Sequence, residues 1–203
     1  VCSAGFRMHV HPTASAGPRR FCRNGRSGWR MSSSSGLSRT VKASPTAALV
    51  SAGVTGLFAA DGAMDDDRAL TERLLSSTGK LFWVDSDERM DAVTAVSGSG
   101  PAYVFHFLEG LQSAAQAVGF SSEQARELAL LTAAGAVKQA IAEHESLATL
   151  RERVTSKGGT TNAALKVLDQ KETQAAITAA VRAAYARAAE MADDFGRAGD
   201  DLA

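Results

Sequence analysis

Thiols are almost absent from this 203-residue chain, whose two cysteines, Cys2 and Cys22, both lie near its start. The remainder therefore holds neither a disulfide nor a cysteine-ligated zinc, and no metal site is expected. Acids are absent from residues 1–40, which carry seven arginines, and the rest has 15 Lys and Arg against 22 Asp and Glu. A formal charge of zero thus hides a basic leader on an acidic body, and bulk charge gives the body no pull on nucleic acid. No apolar run approaches the roughly 20 residues of a membrane span, so no membrane partner is expected. No G-x-G-x-x-G follows a strand-like segment, no repeat of fixed period occurs, and neither a Ser-His-Asp set nor a paired-carboxylate pattern is visible. What is present is 45% apolar residues, enough for a real core in one large domain or one and a half small ones.

Residues 1–40 are rich in Ser, Arg and Gly and lack hydrophobic periodicity, so they are expected to be a disordered basic leader. That composition fits an organelle transit peptide, an unstructured tail, or translated sequence outside the mature protein. The compartment follows that choice: cytoplasmic, or plastid or mitochondrial if the leader is a transit peptide. His9 and His11 in such an arm are ordinary surface histidines.

Past the leader, Gly53–Ala60 and Lys80–Val84 are β-branched or aromatic runs bounded by turn residues. Between them Asp65–Ser77 predicts a helix, with acids in its first turn, Leu70, Leu74 and Leu75 on one face, and Gly79 as the stop. Strand, helix, strand is the βαβ pattern of a parallel sheet. Two strands cannot hold a sheet alone, so these are expected to be a remnant of a larger one. From Asp85 onward the chain turns helical. Pro101 opens a helix to about Val118 with Val104, Phe107, Leu108 and Leu111 at helical steps, and Gly119 ends it. Ser121 or Ser122 caps a second helix to about Ala142, Leu147–Val154 is a short third, and Thr161–Leu168 and Glu172–Phe195 complete the set. The apolar, alanine-rich faces of Pro101–Val118 and Glu172–Phe195 exceed what one five-helix layer can bury. A dimer built on them is expected, with those faces exposed in a single chain.

Between the third and fourth of these helices lies Thr155-Ser156-Lys157-Gly158-Gly159-Thr160-Thr161, four hydroxyls and two adjacent glycines in seven residues. Glycines allow positive φ and close approach of a ligand to the main chain. Thr160, Thr161 and Asn162 are all residue types that cap helices. A helix N-terminus with free amides suits a carboxylate or phosphate, so the segment is a candidate small-anion cradle, against the plainer reading of a capped turn.

This loop and the upstream Asp91-Ala92-Val93-Thr94-Ala95-Val96-Ser97-Gly98-Ser99-Gly100-Pro101-Ala102-Tyr103 together resemble the C-terminal half of the pyrroline-5-carboxylate reductases. Those enzymes carry a DAVTALSGSGPAY-like segment and, at about this distance, a VTSxGGTT-like loop. The resemblance runs from about Val50 to Phe195. It implies a mainly α fold: a helical substrate-binding and dimerisation domain over 85–203, of the 6-phosphogluconate-dehydrogenase C-terminal-like type, after a remnant βαβ of a Rossmann sheet over 41–84. It implies NADPH or NADH as cofactor, reduction of 1-pyrroline-5-carboxylate to L-proline, and a homodimer or higher homo-oligomer. By the same resemblance Ser156, Gly158, Gly159, Thr160 and Thr161 bind the substrate carboxylate. Thr161 lies near the ring nitrogen as the catalytic hydroxyl, and Ser97 and Gly98 lie near the nicotinamide. In such chemistry the cofactor carries the difficult step while the protein positions and polarises.

Lys157 and Glu145 flank the loop but read more simply as solvated charges. His106 reads as a packed or interface histidine, His144 as a charge at a helix end. Ser97-Gly98-Ser99-Gly100 lacks the spacing and preceding strand of a dinucleotide fingerprint and reads as a tight turn with a helix cap. The family's MPNTPALV-like segment appears as Ala43-Ser44-Pro45-Thr46-Ala47-Ala48-Leu49-Val50, with Pro45 for the asparagine and Ala47 for the second proline. The chain is therefore expected to hold only the tail of the nucleotide domain and to bind NAD(P)H negligibly by itself. A catalytically inactive fragment or paralogue that only dimerises is the alternative. Other dehydrogenases with helical C-terminal domains use a lysine acid, which has no counterpart here.

Overall fold

A computed structural model of the chain describes residues 7–9, 21–24, 28–31, 41–45, 53–59 and 63–200. It divides into two compact units, one of residues 1–101 with 181–203 and the other of residues 102–180.

The first unit contains two three-stranded sheets. One lies where a disordered leader was expected: β3 (Gly28–Met31) pairs parallel with β1 (Arg7–His9) and antiparallel with β2 (Phe21–Asn24). These strands are three or four residues long, too short for an alternating apolar pattern to show in the sequence. The other sheet has the order β4 (Val41–Pro45), β5 (Gly53–Ala59), β6 (Gly79–Val84), with β4 antiparallel and β6 parallel to the central strand. Residues 46–50 of the MPNTPALV-like segment lie outside the described residues, as do His11 and Cys2.

The crossover from β5 to β6 is the expected helix, α1 (Asp65–Leu75), finished by a single 3-10 turn at Ser76–Thr78. Strand β5 is covered on both faces, which is why it reads as an almost unbroken apolar run. On one side Leu57, fully buried, packs with Leu70 and Leu75 of α1 and with Leu81 and Trp83 of β6. On the other, the helix α2 (Asp87–Val93) comes so close that a Cβ on Gly56 would meet Met90 Sδ and Val93 Cγ1 at 3.0 Å. Beneath α1 the polar residues Thr55, Asp67 and Thr71 are buried; the Thr71 hydroxyl donates to Asp67 O at 2.7 Å and Asp67 Oδ2 accepts the Met64 amide at 3.0 Å. Trp83 fastens β6 to α1 a second way: its indole N–H donates to Glu72 Oε1 at 2.6 Å and the Arg68 guanidinium stacks 4.8 Å above the ring. Gly79 opens β6 at φ 126, opposite Gly53 in register, where a Cβ would overlap the Gly53 backbone. Only glycine fits there.

Helix α2 does not end in a tight turn. Residues Thr94–Gly98 continue as one π-helical turn, Ser99 keeps helical dihedrals and donates its amide to Thr94 O at 2.9 Å, and α3 (Gly100–Ala117) follows directly. The turn-and-cap reading of Ser97–Gly100 is thus corrected: five-residue hydrogen bonding absorbs the glycines without breaking the helix.

Beyond Gly119, which closes α3, the Ser121 hydroxyl accepts the Gln124 amide at 3.2 Å while Gln124 Oε1 accepts the Ser121 amide at 3.1 Å, a capping box that starts α4 (Ser122–Ala142). Then come α5 (Leu147–Arg153), α6 (Thr160–Gln170) and α7 (Thr173–Asp200), close to the expected spans. Burial in this stretch is sparse. Among the described residues of 102–180 only Ala125 and Ala129 are buried. Val104 and Phe107 of α3 are 53% and 59% exposed, and Ile177 of α7 is 55% exposed, as expected for faces awaiting another chain. His106, expected to be a packed or interface histidine, is open to solvent within the chain, with Nδ1 3.9 Å from Glu109 one turn on.

Candidate functional site: the glycine loop before helix α6

The loop begins where α5 ends. Thr155 folds back on that helix, its hydroxyl donating to Arg151 O at 2.6 Å and its amide to Glu152 O at 2.9 Å. The next four residues, Ser156 to Gly159, form a turn closed by the Gly159 amide donating to Ser156 O at 3.1 Å. Gly158 occupies the third position at φ 75, where a turn of type II demands a residue without a Cβ. Gly159 is needed for a different reason. Its dihedrals suit any residue, but a Cβ there would collide with the Ser156 hydroxyl, which lies directly over it.

The cap of α6 is Gly159 itself, not Thr160, Thr161 or Asn162. The first intrahelical bond runs from the Ala163 amide to Gly159 O at 3.1 Å. The amides of Thr160, Thr161 and Asn162 therefore belong to the first turn, which has no carbonyl to offer them. A glycine cap carries no side-chain oxygen to take their place, and the first turn of α6 contains no acid. The contrast with α1 is instructive: that helix begins with Asp65, Asp66 and Asp67 at its positive end. An anion is favoured at α6 and repelled at α1.

Ser156, Gly158, Gly159, Thr160 and Thr161 are thus brought together in one turn and one helical turn, with Thr161 partly buried and Ser156 exposed. Ser97 and Gly98 lie in the π-helical turn of the first unit. The segment from β5 into α1 does not fit a dinucleotide pyrophosphate, because the helix after it opens on three carboxylates. Lys157 is exposed at the tip of the turn. Glu145 is no free charge: it pairs with Arg153, which also holds Glu143. Neither Glu143 nor Arg153 stands out in the sequence, since acids at the end of one helix and arginines at the end of the next look like ordinary solvated ends. Among the described residues no group of three or more His, Cys, Asp or Glu could hold a metal, and no helix is long and apolar enough to cross a membrane.

Residues 87–191 match the family described as pyrroline-5-carboxylate reductase dimerisation. The chain is 42% identical over 147 residues to the pyrroline-5-carboxylate reductase of Pasteurella multocida, covering 72% of this chain and 54% of that protein. It is 40% identical over 152 residues to that of Pseudomonas aeruginosa, covering 75% and 56%. The solved pyrroline-5-carboxylate reductase of Coxiella burnetii superposes with a TM-score of 0.72 at 40% identity, over 75% of this chain and 57% of that one. The pyrroline carboxylate reductase of Plasmodium falciparum, solved with NADP bound, gives 0.72 at 27% identity, over 77% and 60%. The chain spans a little over half the length of these relatives. The chain therefore belongs to the pyrroline-5-carboxylate reductase dimerisation family.

Proposed function

We propose that this chain forms the substrate-binding and dimerising part of a pyrroline-5-carboxylate reductase, which reduces 1-pyrroline-5-carboxylate to L-proline at the expense of NADPH or NADH, the final step of proline biosynthesis. The observation that carries this reading is the uncapped start of α6: three first-turn amides and the Ser156 hydroxyl with no acid among them. A substrate carboxylate meets the amides and Ser156, with Gly158 and Gly159 keeping side chains out of its way. Thr161, in the same first turn, offers its hydroxyl to the ring nitrogen, which must gain a hydrogen bond or proton as the C=N bond is reduced. Ser97 and Gly98 are the residues proposed to lie toward the nicotinamide, and the pyrophosphate is seated outside the described residues. Domain limits of 41–84 for the nucleotide-domain tail and 85–203 for the helical domain belong to the same proposal.

Dimerisation through α3 and α7 is supported by their exposed apolar residues and by the match to a dimerisation family. The reading is tested in the active reductase. Thr161→Ala removes one hydrogen bond to substrate, about 0.5–1.5 kcal/mol for a neutral partner and roughly 1.5–3 for a charged one. That lowers kcat/KM by about 2- to 150-fold, and Thr161→Ser retains most of the activity. Ser156→Ala acts mainly on KM, because its carboxylate contact is equal in ground and transition states. Gly159→Val is the most damaging, since its side chain invades the Ser156 hydroxyl and the anion's place. Wild-type kinetics in all three variants leave the loop a mere helix start.

A further inference from the structure

Arg153, the last residue of α5, is gripped by two carboxylates at once. Its Nη1 donates to Glu143 Oε2 and its Nη2 to Glu145 Oε1, each at 2.5 Å. Glu143 is the C-cap of α4, and its second oxygen accepts Gln139 Nε2 at 2.8 Å. One polar chain, Gln139–Glu143–Arg153–Glu145, therefore ties the end of α4 and the following connection to the end of α5. A guanidinium held at both prongs is fixed in plane as well as in place, which a point-charge ammonium cannot match. No side chain of α5 is fully buried within the chain, and of its residues only Leu150 is half-buried, so apolar packing holds it weakly. Immediately after this clamp Thr155 bonds back to Arg151 and Glu152, and the turn of Ser156 begins.

We propose that Arg153 is a positioning residue: clamped by Glu143 and Glu145, it sets the direction in which α5 delivers the Ser156–Thr161 cradle, and it lends no charge to the substrate. The proposal rests on the reading of that cradle as a carboxylate site. Two carboxylates on one guanidinium leave the clamp with a net negative charge, so the cation is already satisfied. The carboxylate is met by the cradle's amides and hydroxyls alone.

Glu143→Gln separates the two roles by sign. Electrostatics alone has loss of a nearby negative charge tighten carboxylate binding, whereas a loosened clamp weakens it. The test uses the purified 203-residue protein with L-proline as probe, following the amide resonances of Gly158, Gly159 and Thr161, and hydrogen exchange at the Thr155 and Gly159 amides without probe. Glu143→Gln and Arg153→Lys, which keeps the charge but loses the fork, should each raise the apparent Kd for L-proline by about 2- to 12-fold, the worth of one ordinary hydrogen bond. Both should also speed exchange at the two loop amides. Unchanged or tighter binding with unchanged exchange overturns the proposal. If L-proline moves no cradle resonance in the wild type, the carboxylate reading fails, and exchange alone decides the clamp: faster in the variants upholds positioning of the loop, unchanged overturns it.

Discussion

The sheet of β4, β5 and β6 and the helices α3 to α6 solve the same problem in opposite ways. Between the sheet and α1, Thr55 and Leu57 of β5 and Thr71 of α1 are wholly enclosed within the same chain. In the helices, Leu131, Val137 and Ile141 are 64%, 58% and 77% exposed, and the side chains that are enclosed are alanines. Apolar surface of this extent marks an interface, and small residues at the enclosed points let helices approach closely. A sheet satisfies its strands locally through hydrogen bonds and a crossover helix. Helices α3 to α6, among whose described residues only Ala125 and Ala129 are buried, do not complete a core within one chain.

The sharpest way to break this comparison is to place a charge on the helical face. Phe107→Asp should abolish the oligomer, since an unpaired carboxylate in an apolar interface costs on the order of 3 kcal/mol or more. Sedimentation should show the shift to monomer or aggregate, while tryptophan fluorescence of Trp83, in the sheet, stays native. A fully dimeric variant would mean that α3 faces water.

The opposite perturbation falls on the sheet. Gly79→Ala drives a methyl into the Gly53 backbone from a dihedral that alanine avoids. The loss should be roughly 2–4 kcal/mol, from backbone strain plus overpacking. The urea midpoint should fall independently of protein concentration, whereas a midpoint governed by the helical interface depends on it.

A smaller effect is expected at Glu172, the one non-glycine residue among those described with positive φ (51°), between α6 and α7. Glu172→Gly relieves a left-handed penalty of about 1–2 kcal/mol, in part offset by the freer unfolded chain, for a net gain of about 0.5 kcal/mol. Thermal denaturation should show a rise in Tm of a few degrees; a fall would give the glutamate side chain a role in holding α7.

The smallest concerns pH. Glu88, fully exposed in the first turn of α2, titrates below its ordinary 4.5 because its own backbone amide, and then the Ser86 hydroxyl, hydrogen-bond to the carboxylate. With the folded value below the unfolded one, its contribution is present above the unfolded pKa and is lost as pH falls through the folded one. Carbon-detected titration should show the depressed value, and Ser86→Ala should restore only part of it, since the backbone is the larger cause.

Much of the fold is legible from one dimension. Helix spans came from stops and caps such as Gly119 and Ser121, whose effect is local, and the βαβ unit came from β-branched runs around a leucine-faced helix. The place of the cap at α6, on Gly159, was not legible: Thr160 and Thr161 are better caps than glycine by composition, but a Cβ at position 159 would strike Ser156. That contact exists only once the turn has formed. The π-turn at Thr94–Gly98 was hidden for a related reason, since serine and glycine signal a break that hydrogen bonding across five residues repairs.

The sequence by itself determined where helices and strands run, which loop gathers hydroxyls and glycines, and which family the chain belongs to. These depend on local sterics, periodicity and a long ordered motif. Only the tertiary structure decided that Gly159 and not a threonine starts α6, that Arg153 answers Glu143 and Glu145, and that Thr94–Gly98 carries the helix through without a break. Each of these is a matter of which groups meet across a turn or remain unmet, and that is fixed by the path of the backbone in space.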